Sequence, residues 1–107
     1  MLPFYTRLTN IASCYVHAYP NAGLPNEMGG YDETKEEFSN NLAEFAAVGA
    51  NMLGGCCGTD RTFIKALADR VQGLAPRVTP EAIKSTMLSG MQDFVFYPEM
   101  NFVNIGE

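Results

Sequence analysis

Cys56 and Cys57 stand side by side within Gly54-Gly55-Cys56-Cys57-Gly58. Ionised, two such thiols are donors for a soft cation, above all zinc, which takes four ligands in a tetrahedron. Adjacent residues of extended chain point to opposite faces, so both sulfurs reach one ion only if the backbone turns between them. Gly54, Gly55 and Gly58 supply that freedom. The plain alternative is a pair of small buried residues after a strand. The flanking glycines and the strand-loop-helix setting favour a site instead, because α/β proteins place their chemistry on loops at the carboxyl ends of strands.

Other candidate ligands are few. Cys14 lies at the start of its own strand. The loop at the far end of that strand begins at Pro20, six residues on, or about 20 Å at roughly 3.3 Å per residue. Cys14 is thus at the wrong pole for the pair and reads as a core cysteine. His17, the single histidine, is mid-strand and reads as a packed residue. Asn21 follows the end of the first strand and would neighbour the cysteine loop if the strands are adjacent. Its side-chain oxygen could then serve as a weak, displaceable ligand, although Pro20-Asn21-Ala22-Gly23 also suits an ordinary turn. The acidic group Asp32, Glu33, Glu36 and Glu37 reads as a solvated helix start, and the methionines as core filler.

The elements that must position these residues follow from periodicity. Leu2, Tyr5, Leu8, Ile11 and Ala12 make one apolar helical face. Cys14 to Tyr19 is a short strand ended by Pro20. Pro20 to Tyr31 is a loop by its prolines, glycines and asparagines. Asp32 or Thr34 caps a second helix, with Phe38, Leu42, Phe45 and Ala46 inward and Gly49 as its terminator. Ala50 to Leu53 is an apolar, buried parallel strand. Thr59 or Asp60 caps a third helix, with Phe63, Ile64, Leu67, Ala68 and Val71 inward and Gly73 at its end. The order helix, strand, helix, strand, helix predicts an α/β fold with two β/α units. Two parallel strands do not make a stable sheet, so the pattern looks like the last quarter of a larger barrel. Residues 74–86 read as a linker, with one helical turn capped by Thr79. Met87-Leu88, Phe94 to Tyr97 and Phe102 to Ile105 read as short strands opening something new.

Composition narrows the function classes. At 107 residues the chain is too short for a complete (β/α)8 barrel of about 250 residues. A net charge of −5 with seven scattered Lys and Arg disfavours nucleic-acid binding. No apolar run approaches the roughly 20 residues of a membrane span. The start, Met1 to Arg7, lacks signal-peptide features, so a cytoplasmic location is expected. Three cysteines, an odd count, argue against a disulfide framework. An adjacent pair could close only a strained vicinal disulfide.

Two motifs together, Tyr19-Pro20-Asn21-Ala22-Gly23-Leu24-Pro25 and Asn51 to Thr59 with its Gly-Gly-Cys-Cys-Gly, resemble the cobalamin-dependent methionine synthases at the end of their homocysteine-binding barrel. The second motif alone is shared by the wider homocysteine methyltransferase family, including the betaine- and S-methylmethionine-dependent enzymes. Leu74-Ala75-Pro76-Arg77 looks like the barrel exit, and Phe102 to Glu107 like the opening of the folate-binding domain. The resemblance implies the last two β/α units of a (β/α)8 TIM barrel over 1–73, a linker over 74–86, and a segment leading to the folate domain over 87–107. It implies that Cys56 and Cys57 are two of three zinc cysteines, with homocysteine's thiol as a further ligand. It places Asn21 near the metal, with the backbone of Ala22 and Gly23 near the substrate amino acid. A methyl group would pass from methylcobalamin, itself re-methylated by 5-methyltetrahydrofolate, to homocysteine. The family's first zinc cysteine belongs to an earlier strand that Cys14 does not match. The chain is therefore expected to be a fragment, inactive alone, whose cobalamin and folate sites and remaining domains lie elsewhere. A small metal-binding module that folds alone is the reading from another class.

Overall fold

Thr34 opens the second helix with a reciprocal cap. Its hydroxyl accepts the Glu37 N–H at 3.2 Å, and the Glu37 carboxylate accepts the Thr34 N–H at 3.0 Å. Two orphan donors of the first turn are thereby satisfied. Asp60 does the same for the third helix, accepting from the N–H groups of Thr62 and Phe63. Gly49, at the position after the Val48 cap with φ +104°, ends the second helix as the sequence indicates.

The computed structural model describes residues 1–82, 84–104 and 106. Its elements are α1 (Leu2–Ile11), β1 (His17–Ala18), α2 (Lys35–Ala47), β2 (Met52–Leu53), α3 (Arg61–Val71), β3 (Met87–Ser89) and β4 (Asp93–Val95). β1 and β2 pair in parallel, His17 opposite Met52 and Ala18 opposite Leu53. The regular ladder is shorter than the strands read from sequence, but backbone bonds extend it at both ends. Val16 O accepts from Asn51 and Met52 below it, and Ala18 O accepts from Gly54 above it.

The core lies between this pair and the two following helices. Ala18, Phe38, Leu42 and Leu67 are buried, with Tyr5, Phe45, Leu53, Phe63 and Val71 packed around them. Phe38 meets Phe63 edge-on at 5.5 Å, and Tyr5 meets Phe45 at 4.9 Å, a favoured aromatic geometry. Tyr5 is wedged deeply enough that its phenol finds no partner; burial raises its pKa, against a lowering by the Arg77 charge.

Several expectations fail here, those on the strands because only one face of the strand pair is covered. Val16 and Ala18 are buried beneath the helices, whereas His17 on the opposite face is exposed rather than packed. Met52, in a strand expected to be apolar and covered on both sides, is 52% exposed. All six methionines are exposed, so none fills the core. Cys14 is exposed as well, not a core residue. The apolar stripe of α1 is only partly used. Tyr5 packs, Leu8 and Ile11 are exposed, and Thr9 is the buried residue, its hydroxyl donating to Val48 O at 2.7 Å.

Past α3, Leu74 to Arg77 folds back against the unit. The residues described between Thr79 and Ala82 form no helical turn. β3 and β4 form an antiparallel hairpin with Met87 opposite Val95. The expected strand at Phe102 to Ile105 is not present among the described residues Phe102 to Asn104; Ile105 and Glu107 lie outside the described residues. No helix among the described residues is long and apolar enough to cross a membrane.

Candidate functional site

Because β1 and β2 run parallel, the loops that follow them emerge at the same end. The ladder continues into those loops. Cys56 N–H donates to Pro20 O at 2.9 Å, and Ala22 N–H donates to Cys57 O at 2.9 Å. Between these bonds the Asn21 side-chain oxygen accepts the Cys57 N–H at 3.2 Å. Cys57 is thus held from both sides by the Pro20–Ala22 segment. Thr59 turns the chain toward α3, its hydroxyl donating to Cys56 O at 2.7 Å.

The two sulfurs lie 3.8 Å apart, unbonded, and both cysteines are exposed. The glycine-rich turn therefore brings adjacent side chains to one side of the backbone. A tetrahedral ion with metal–sulfur bonds of about 2.3 Å would span its two sulfurs by about 3.8 Å. The pair fits two corners of such a site. Among the described residues, no group of three or more His, Cys, Asp or Glu is placed to hold a metal. Cys14 precedes β1 by three residues while Cys56 follows β2 by three, so the register puts them at opposite ends.

The structure brings together Asn21, Ala22, Cys56 and Cys57, all singled out from sequence. Asn21 places its oxygen on the Cys57 backbone. Ala22 is fully buried at the base of the loop, and Gly23 N–H closes a tight turn on Asn21 O at 2.9 Å. His17 shares their end only through its strand, and none of the acidic residues 32–37 bonds to the thiol loop.

Tyr31 is a neighbour that sequence reading missed. A methyl group on Gly58 would meet Tyr31 Cβ and Cγ at 2.5 Å, and Gly58 has φ +78°. Only glycine combines that backbone with so close a ring. Tyr31's phenol is held above 10.0, first by hydrogen bonding with Cys57, then by burial and by the charges of Cys57 and Cys56. The turn that presents Tyr31 is organised by Asn26. The Asn26 oxygen accepts from Met28 and Gly30 N–H, and its amide donates to the Asp32 carboxylate at 2.9 Å and 3.1 Å. Pro25-Asn26 was a visible turn signal. Nothing in the one-dimensional pattern joined Tyr31 to Gly58.

A thiol pair on a loop that follows a parallel strand, braced by an asparagine from the neighbouring strand's loop, can bind a soft metal or a sulfur-bearing ligand. The family model for homocysteine S-methyltransferase matches residues 1–71, which contain α1 through α3 and every residue of this site. The chain belongs to the homocysteine S-methyltransferase family.

Proposed function

We propose that this chain supplies the closing two β/α units of a (β/α)8 homocysteine-binding barrel, and that Cys56 and Cys57 are two ligands of its zinc. The carrying observation is the 3.8 Å sulfur pair at the carboxyl ends of two parallel strands, with Asn21 against it, in a chain of this family. The uncovered strand face, bearing His17 and Met52, supports a larger barrel around the pair.

In this reading Cys56 and Cys57 hold the ion while Asn21 keeps the loop in register through the Cys57 N–H. Zinc, when bound, lets a substrate thiol persist as thiolate near neutral pH. Homocysteine is that substrate, and its sulfur accepts the methyl group to give methionine. The Pro-Asn-Ala-Gly-Leu-Pro loop favours the branch that takes the methyl from methylcobalamin, re-methylated by 5-methyltetrahydrofolate. The chain's continuation past residue 71 into the β3–β4 hairpin is in keeping with a further domain. A third cysteine and the cobalamin and folate sites would come from other parts of a longer protein.

Competition with a chromophoric chelator tests the metal reading. Weak, one-to-one zinc binding by the chain is expected, and Cys56→Ser and Cys57→Ser should each abolish it. Unchanged binding in the double variant would rule out the thiols as ligands.

A further inference from the structure

Arg77 makes a set of bonds that nothing in its sequence context announces. One terminal nitrogen donates to Thr9 O at 2.7 Å and Ala12 O at 3.0 Å, the other to Cys14 O at 2.6 Å. Its Nε donates to the Asn51 side-chain oxygen at 3.2 Å. The Asn51 amide returns a bond to Arg77 O at 3.0 Å, and the same Asn51 oxygen accepts the Val16 N–H. One guanidinium thus joins the end of α1, the approach to β1 and the start of β2. The fixed fork of guanidinium donors suits several convergent carbonyls, as a lysine point charge does not. Between α3 and Arg77, Leu74, Ala75 and Pro76 close over a recess of about 290 Å³ lined also by Leu53, Ile64 and Leu67.

We propose that Leu74–Arg77 is a strap, latched by Arg77, that fixes where the chain leaves the α/β unit. The latch sits at the amino ends of both strands, and Cys56 and Cys57 sit at their carboxyl ends. Whatever follows is therefore tethered at the pole opposite the thiols and starts at residue 78, not at the helix end. The tether does not depend on metal binding, so it stands or falls separately from the zinc reading.

Trypsin reads the latch directly, because it must draw the target side chain into its own specificity pocket. Lys84 is exposed on the same segment and is an internal reference, whereas Arg77 is half-buried. In a timed digest of the intact chain, cleavage after Lys84 should precede cleavage after Arg77 by about tenfold or more. In Arg77→Lys, cleavage at position 77 should approach the Lys84 rate, with Lys84 itself unchanged. Equal rates at the two sites in the parent chain would overturn the strap. Undiminished protection in Arg77→Lys would overturn the guanidinium as its latch.

Discussion

Asp60 makes the cap of α3 sensitive to acid. Its carboxylate accepts from the Thr62 hydroxyl at 2.6 Å and the Thr62 N–H at 2.7 Å, and these bonds hold its pKa below 3.8. Glu37 is held below 4.5 first by the Thr34 N–H and then by its hydroxyl. A depressed folded pKa means stability that is complete above the unfolded value and lost as pH falls through the folded one. Helicity followed by circular dichroism should therefore hold down to about pH 4 and decline below it. Asp60→Asn keeps an acceptor at the cap and removes this charge, so the acid loss should shrink; an unaltered acid limb would show that the cap is not its source. At this scale the thiol pair, Asn21 and the caps were legible, because residue type and spacing carry them. Tyr31 was not, since its tie to Gly58 crosses 27 positions.

At the scale of elements, α2 is the keystone. Phe38 and Leu42 are the largest fully buried side chains, and they face β1 and α3 at once. Leu42→Ala removes that packing and leaves a cavity, at about 2–5 kcal/mol. That is a large share of a typical domain's stability of roughly 5–15 kcal/mol, so thermal melting should show a lower and broader transition. A melt within a degree or two of the parent would place the core elsewhere. α2 and α3 were legible because caps, periodicity and terminating glycines agree; α1, which has no such cap, was legible as a helix but not in the face it buries. The paired strands were legible as segments, the one expected from Phe102 was not found among the described residues, and the exposed faces were not legible. Apolar residues in a strand say that it can be buried, not that this chain supplies the cover.

Over the whole molecule, the surface is 8533 Å² and the radius of gyration 18.9 Å. A compact monomer of this size would show about 5,900 Å² and about 13 Å. Large apolar side chains contribute to the excess. Phe4, Leu8, Ile11 and Tyr15 are exposed, and a groove of about 870 Å³ opens between α1 and α2. Large exposed apolar patches mark interaction surfaces, binding grooves or aggregation-prone surface. Isolated, the chain should bind a hydrophobic dye such as ANS strongly and show no methyl transfer to homocysteine from methylcobalamin. Weak dye binding with measurable methionine formation would show that the chain suffices alone.

The sequence by itself determined α2 and α3 with their ends, the α/β alternation and the place of the glycine-cysteine turn, because caps, periodicity and turn residues act over a few positions. Tertiary structure alone decided that Cys14 is exposed rather than in the core, that Tyr31 sits on Gly58, and that Arg77 straps the chain back onto the amino ends of both strands. Those bonds join positions up to 68 residues apart. An exposed arginine and a latch have the same local pattern. Only the fold brings Thr9, Ala12 and Cys14 carbonyls to one guanidinium.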